Sequence, residues 1–318
     1  MTTLGILSYN EEKNIESVIN NYADLFEKII VINDGSTDKT YDILKKLKKE
    51  FKNLSVVNNS KNLGAGRSLE ICINEFLLTK DEYLMKIDGD DQFKKEDILK
   101  LKKIIENEKF DFVKCDRFWD GGIEGNIPNI RYFGNAFASL LAKFSTGNWK
   151  VNDPLNGLFA FSKRSLKDFK LPKLFYRYGY PFYIVTFMMN QSIEKNHLMG
   201  QYKNTIKYTD NRKTLNPIVI FLKLIWFSIT NYYSKIKRKL KYSSLQTSAL
   251  LDLFSQLFLT LSCFSIYKFF NIRYFDGIGP QGSWFIVFII FFSFFMFLLF
   301  FSLNEENNIA MKNFKEIS

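Results

Sequence analysis

The 318-residue sequence predicts an α/β domain on a mostly parallel sheet, followed by a membrane-spanning helical hairpin. Three observations predict it. Short apolar runs alternate with amphipathic stretches through the first half. Polar clusters follow the apolar runs, where strands would end. The last third is dense in phenylalanine and holds an uncharged run long enough to cross a bilayer. Repeated strand–helix alternation is the pattern of a parallel sheet covered by helices.

In chain order, strands are expected at Thr3–Ser8, Lys28–Asn33, Leu54–Asn58, Tyr83–Asp88 and Phe110–Cys115. Amphipathic helices are expected at Glu12–Leu25, Asp38–Phe51, Gly66–Leu78 and Glu96–Asn107. In the second of these, Leu44, Leu47 and Phe51 alternate with the lysines of Lys45–Lys52, which makes the lysines a solvated face. After Asp116, Gly121, Gly122, Gly125 and Pro128 mark a loop, and a helix follows over about Ile130–Phe144. The segment NWKVNDPLNGLFAFSKRSL is expected to lie beside the sheet and complete a pocket. Together these make one domain over residues 1–215. Ligands of such sheets bind at the carboxyl ends of the strands. SYNEE, NDGSTD, NSKNLGAG and DGDDQ all fall there.

Trp284–Leu303 carries no charge and is long enough to span a bilayer. Leu245–Phe270 is read as a second span. Asp252 lies near one end of it, where a polar group costs less; a buried or interfacial helix is the alternative. Pro217–Tyr233 is apolar but is followed by KIKRKLK at Lys235–Lys241. A crossing there would put that cluster outside, against the positive-inside tendency. A surface helix over 216–241 fits better, its basic end meeting anionic headgroups. Residues 242–318 then hold two spans, about 245–270 and 284–303, with a short cytosolic tail. The expected location is the inner (cytoplasmic) membrane, multi-pass, with the first domain cytosolic.

Composition narrows the function. The net charge is +11, which suits nucleic acid, anionic lipid or phosphorylated substrates. No zinc spacing or aromatic RNA-binding pattern occurs, so nucleic acid is not expected as a partner. Three cysteines without a CxxC pair argue against a zinc site or disulfide framework and for a reducing compartment. MTTLGILSYN lacks the basic-then-apolar pattern of a cleavable signal peptide. The lone His197 reads as a surface or packed residue.

Asp88-Gly89-Asp90-Asp91-Gln92 closes the fourth expected strand. Its three carboxylates repel one another unless a cation joins them, and a hard divalent ion takes oxygen ligands and substrate phosphates together. A turn of solvated acids is the alternative. Asp34-Gly35-Ser36 gives either a ligand rim or a turn with a helix cap. NLGAGRS is a glycine-rich turn before a helix, which either accepts phosphate or only turns the chain.

The ordered set SYNEEKNI, VINDGSTDKT, NLGAGRSLEICI, IDGDDQFKKEDI and DPLNGLFAFSKRSL resembles family 2 glycosyltransferases, most of all the dolichol-phosphate mannosyltransferase-like (polyprenyl-phosphate glycosyltransferase) branch. The resemblance covers roughly Met1–Pro217. It implies a GT-A (Rossmann-like) fold, a UDP- or GDP-linked nucleotide sugar, a divalent metal (Mg²⁺ or Mn²⁺) and inversion at the sugar carbon. Tyr9, Asn10 and Glu11 match the motif lining the nucleotide, and Asp34 matches the acid that reads the base. Asn33 replaces the first of the two acids usual there. Gly64 and Arg67 fall with the donor-binding set. Asp88 and Asp90 match the metal pair and Gln92 a third ligand of the lipid-phosphate branch. Glu96 and Asp97 match the helix start that follows. Arg117 and Arg131 match phosphate-holding residues. Asp153, Asn156 and Gly157 match the signature near the sugar. The catalytic set implied is Asp90, Asp153, Arg117 and Arg131.

One departure bears on the acceptor. Many inverting members carry a carboxylate that deprotonates a hydroxyl, but Tyr178-Gly179-Tyr180-Pro181-Phe182-Tyr183 has no acid. A phosphate acceptor is already ionised, so a membrane polyprenyl phosphate is expected, met by Arg117, Arg131, Arg212 and Lys213. Two other readings stand beside it. One is extension of a lipid-linked glycan or capsule precursor at a hydroxyl, with Asp153 as base; the other is a catalytically silent membrane scaffold. Membrane lipids are expected partners, and a homo-oligomer is compatible.

Overall fold

The computed structural model describes residues 1–119, 122–124, 127–207, 217–241, 246–272 and 281–317. It divides into two compact units. The first is Met1–Thr146, Lys150–Trp226 and Asn313–Ser318; the second is Gly147–Trp149 and Phe227–Lys312.

In the first unit, β1 (Thr2–Ser8), β2 (Lys28–Asn33), β3 (Leu54–Asn58) and β4 (Tyr83–Asp88) alternate with α1 (Ile15–Tyr22), α2 (Thr40–Glu50), α3 (Ala65–Leu77) and α4 (Lys95–Glu108). These match the expected strands within a residue at each end. There follow β5 (Phe112–Asp116), β6 (Ile123–Glu124), α5 (Asn129–Thr146), β7 (Phe159–Ser162), α6 (Lys163–Leu166), α7 (Tyr180–Lys195), β8 (Met199–Lys203) and β9 (Ile206–Lys207). Helix α8 (Pro217–Lys239) begins in this unit, and β10 (Phe314–Ile317) returns to it.

The main sheet has eight strands in the order β10-β8-β5-β7-β4-β1-β2-β3. Strand β7 runs antiparallel to both neighbours, and every other pair is parallel. The sheet is therefore the mostly parallel α/β sheet expected. All of β1 is buried, as a central parallel strand with both faces covered should be. Ile15, Val18, Ile19 and Tyr22 line the inner face of α1, and Ile98, Leu101 and Ile105 that of α4. Each such side chain contributes about 1.5–3 kcal/mol when fully buried. Helix α3 lies so close to β1 that a Cβ at Gly5 would stand 2.5 Å from the Cys72 sulfur.

Two expectations are corrected here. The segment after Asp153 does not lie beside the sheet: its FAFS run enters the sheet as β7, between β4 and β5. The Phe159 and Phe161 rings meet Phe112 on β5 at 5.8 and 5.2 Å, a contact between aromatics far apart in sequence. Nor are the last residues a bare tail, since β10 pairs in parallel with β8.

The second unit holds the end of α8, with α9 (Gln246–Asn271) and α10 (Gln281–Ala310) packed on each other. Both α9 and α10 are long and apolar enough to cross a membrane. The basic cluster on α8 divides. Lys237 and Lys241 are exposed, but Lys235 and Lys239 are buried. The Lys235 amine lies 2.7 Å from Glu306, and the Lys239 amine contacts Asp252 and Glu306 and donates to Ser248 at 3.0 Å. Tyr232 donates to Asp252 at 3.1 Å, and Ser302 does so at 2.6 Å. These two lysines thus join three helices of the unit rather than meeting headgroups, a correction whose cause is carboxylates distant in sequence.

Candidate active site

The polar loops gather at the carboxyl ends of β1, β2, β4 and β5. Among the described non-glycine residues with positive φ, Asn10 (56°) and Asp91 (57°) stand in these loops and Asp153 (44°) in the loop before β7. Asn and Asp tolerate that region better than other side chains, and such strain concentrates at functional sites.

The first two loops are tied together. The Asn10 amide donates to Ser36 at 2.9 Å, and the Thr37 amide donates to the Asn10 side chain at 2.8 Å. The buried Glu11 donates its amide to Thr40 at 2.8 Å and accepts from Asn14 at 3.1 Å. Tyr9 remains 39% exposed at the rim. Asp34 is buried, and its carboxylate accepts from Asn59 at 2.8 Å, Leu63 at 2.9 Å and Gly64 at 2.8 Å. Here, then, Asp34 anchors the loop before α3. Asn33 donates to Asn58 at 3.0 Å and accepts from Ser36.

The glycine-rich turn serves chain packing. Gly64 has φ 99°, and a Cβ there would fall 2.6 Å from the Tyr176 carbonyl; at Gly66 it would fall 2.1 Å from that of Phe175. The Arg67 amide donates to Tyr176 at 2.9 Å, and its guanidinium pairs with Glu70. The start of α3 is thus covered by the 175–177 backbone, which takes an amide that a phosphate would otherwise use.

At the end of β4, side chains alternate between faces, so Lys86 and Asp88 share one. Lys86 is fully buried and Asp88 is 34% exposed; the amine donates to Asp88 at 2.7 Å, to the Gly157 carbonyl at 2.9 Å and to the Tyr180 hydroxyl at 2.9 Å. Burial by itself would lower the Lys86 pKa, but the Asp88 and Tyr180 oxygens outweigh it and hold the amine above the ordinary lysine value. Burial, with Asp88 adding to it, pushes the Tyr180 phenol up to about 12. Asp90 and Gln92 are partly exposed on the same turn and Asp91 is exposed. Two carboxylates and an amide oxygen are the right donors for a hard cation. Among the described residues, no three Asp, Glu, His or Cys side chains converge on one metal position. The protein donor set suits such an ion only with further oxygens from a ligand or water.

The DPLNG loop closes the other side. Asp153 is 1% exposed and is gripped by Arg117: one guanidinium contact is 3.1 Å, another 3.2 Å, and the Arg117 amide adds a third at 3.1 Å. Asn156 donates to Asp153 at 3.1 Å and to Asn204 at 3.0 Å. A Cβ on Gly157 would stand 2.7 Å from the Asp88 carboxylate, so only glycine lets this loop meet β4. Beneath it, the buried Lys114 donates to the Asn152 carbonyl and, at 3.2 Å, to Gln201. Burial pushes the Lys114 amine below the ordinary lysine value, against the pull of Asp153 and Asp116.

Arg131 is exposed in the first turn of α5, and the Phe118 and Tyr132 rings, 5.6 Å apart, bring that turn to the Arg117 loop. Arg212 and Lys213 lie outside the described residues. The fold therefore gathers Asp88, Asp153, Asn156, Gly157 and Arg117, and leaves Gly64 and Arg67 in chain packing. Sequence reasoning missed Lys86, Tyr180 and Lys114. For Lys86 a signal existed: it precedes Asp88 by one strand period.

A family model described as Glycosyl transferase family 2 matches residues 3–170. An uncharacterized protein of Methanocaldococcus jannaschii is 34% identical over 172 residues, covering 52% of this chain and 73% of its own. The UDP-N-acetylglucosamine–dolichyl-phosphate N-acetylglucosaminyltransferase of Methanococcus voltae is 31% identical over 177 residues, 52% of this chain and 70% of its own. The dolichol-phosphate mannosyltransferase of Pyrococcus furiosus is 25% identical over 171 residues, 52% of this chain and 47% of its own.

Proposed function

Since the chain belongs to glycosyl transferase family 2 and is a glycosyltransferase, we propose that it moves a sugar, with inversion, from a nucleoside diphosphate sugar to a membrane polyprenyl phosphate. Relatives named for dolichyl-phosphate acceptors support the acceptor class. The observation that carries it is the state of the two candidate bases. The segment Tyr178–Tyr183, which the resemblance matches to the acid-bearing region of other members, has no acid, and Asp153 is buried in its pairing with Arg117. A hydroxyl acceptor would need one of them as a base. A phosphate monoester, ionised at neutral pH, needs neither.

In the transfer, an acceptor phosphate oxygen bonds to the anomeric carbon. The bond from that carbon to the donor diphosphate breaks, and its electron pair leaves with the diphosphate. Asp88, Asp90 and Gln92 would hold a divalent cation, Mg²⁺ or Mn²⁺, which offsets the charge of the leaving diphosphate when bound. Lys86 holds the Asp88 carboxylate in place through the 2.7 Å contact. Tyr9, Asn10 and Glu11 line the nucleotide, and Asn156 and Gly157 border the sugar. Arg117 and Arg131, with Arg212 and Lys213, gather the acceptor phosphate. Residues 1–215 form the cytosolic catalytic domain, α8 is the juxtamembrane helix, and α9 and α10 cross the inner membrane. Because β10 joins the first unit's sheet after α10, the chain returns to the side it left, as two crossings require.

Asp90→Asn tests the site in membranes carrying the full chain. The expected result is a folded protein without sugar transfer and with weakened donor binding in Mg²⁺. Full transfer by that variant, or by the wild type in excess chelator, would contradict the proposal.

A further inference from the structure

Strand β8 carries none of the residues assigned to donor, metal or acceptor, yet its end ties two loops of the site together. Gln201 on β8 stands opposite Lys114 on β5 in the parallel ladder and is 6% exposed. Its side-chain amide is fully used. The oxygen accepts from the Asn152 backbone amide at 2.9 Å and from the Lys114 amine at 3.2 Å. The nitrogen donates to the Lys150 carbonyl at 3.3 Å and to the Asp116 carboxylate at 3.4 Å. Two donors meet the oxygen and two acceptors meet the nitrogen, so only one orientation of the amide satisfies all four.

Asn204, just past the end of β8 and fully buried, repeats the pattern. Its side-chain oxygen accepts from Asn156 at 3.0 Å, its backbone amide donates to the Asp116 carbonyl at 3.0 Å, and its carbonyl accepts from the Trp119 indole at 2.8 Å. Both residues therefore join the same two segments: 116–119, which holds Arg117, and 150–156, which holds Asp153.

Asp153 needs such holding. Its φ of 44° is one that a non-glycine residue keeps only where its surroundings impose it. Asn152, just before it, is gripped at both backbone groups, the amide by Gln201 and the carbonyl by Lys114. Among the described residues, the hydrogen-bond partners of the buried Lys114 amine are neutral oxygens: the Asn152 and Cys115 carbonyls and the Gln201 amide. An ammonium taken from water on such terms costs more stability than a well-packed apolar side chain would. What the lysine adds is a fixed carbonyl beside Asp153.

We propose that Gln201 and Lys114 are positioning residues for sugar transfer, which fix the loop bordering the sugar against the loop carrying Arg117. The proposal rests on the donor-site reading above, in which Asn156 and Gly157 border the sugar. Tyr9, Asn10 and Glu11 follow β1, and among the described residues no hydrogen bond from Gln201 or Lys114 reaches them. Loss of the clamp therefore loosens the hold on the sugar and spares the hold on the nucleotide.

The test uses the full chain in nanodiscs. Equilibrium binding of UDP- and GDP-linked sugars in Mg²⁺ selects the nucleotide sugar that wild type binds most tightly, and its own nucleoside diphosphate is measured beside it. Gln201→Met keeps a similar volume and removes all four bonds. Ser162→Ala, which takes a hydrogen bond from the buried Asp111 elsewhere in the sheet, is the stability control. Gln201→Met is expected to weaken the nucleotide sugar by about tenfold and the nucleoside diphosphate by less than about twofold. Lys114→Met is expected to shift the ratio in the same direction, and Ser162→Ala to leave it unchanged. Should Gln201→Met fail to fold, Gln201→Glu carries the test: it keeps both acceptor bonds, loses both donor bonds, and is expected to give a smaller shift of the same sign. Equal loss of both ligands, no loss of either, or the same shift from Ser162→Ala overturns the inference. A wild-type chain that binds the nucleotide sugar but leaves added polyprenyl phosphate unmodified removes the acceptor reading alone, and the binding ratio still decides the clamp. A wild-type chain that binds no UDP- or GDP-linked sugar overturns both.

Discussion

Two buried lysines, one in each unit, show how the same chemistry serves different ends. Lys86 and Lys239 are both almost wholly buried against carboxylates. Their partners differ. Asp88 is a third exposed at the end of a strand, whereas Asp252 and Glu306 are shut in among helices. A buried cation with an equally buried anion holds elements together and has no face left for a ligand. A buried cation with a partly exposed anion sets the direction of a group that still meets solvent. Burial alone does not separate architecture from function; the exposure of the partner does.

The largest effect should come from Asp90→Asn, two residues after Asp88 on the same turn. Losing a charge aimed at the leaving diphosphate is expected to cut turnover by about 10²–10³-fold, with the melting temperature unchanged. A parallel loss of folding would place Asp90 with the architectural acids and break the distinction. Next is Lys239→Met. It takes the bonded cation from Asp252 and leaves Glu306 with Lys235, and removing one partner of such a buried pair costs about 3–5 kcal/mol. Thermal unfolding in detergent should register that loss, while turnover per folded molecule holds. Lys86→Met should do the reverse, because Asp88 can rehydrate: stability falls little, and the KM for donor rises by roughly tenfold, about 1.4 kcal/mol. Lys86→Arg should recover part of the affinity. If Lys86→Met instead unfolds the chain and leaves KM unchanged, the two lysines are alike.

The smallest effect is a flat pH response. The folded Lys86 pKa lies above its unfolded value of 10.5, so the pair's contribution is complete below that pH and is lost as pH rises through the higher folded value. Donor binding measured from pH 6 to 9 should show no step that Lys86→Met removes. Such a step would mean that Lys86 titrates in that range and is not held by Asp88.

The parts legible in the sequence were those written locally. Strands β1 to β4 are short apolar runs bounded by polar turns, and their ends carry the site motifs. What escaped depends on partners far along the chain. Strand β7 enters the sheet because Phe159 and Phe161 find Phe112, which no local period announces. Lys235 and Lys239 read as headgroup-facing because Glu306, which pairs with both, is remote in sequence. Gly64 and Gly66 resemble a phosphate loop locally, yet the backbone at Phe175 and Tyr176 occupies that space. Lys86 was hidden inside an apolar run, where a lone lysine looks like an exposed strand residue.

The central claim is transfer to a polyprenyl phosphate. Membranes containing the full chain would be incubated with polyprenyl phosphate and a panel of radiolabelled nucleotide sugars, and the lipid product identified by mass spectrometry. A single sugar joined to the polyprenyl monophosphate, absent with Asp90→Asn, is the predicted result. Label found only in an extended lipid-linked glycan, with polyprenyl phosphate unmodified, would contradict it.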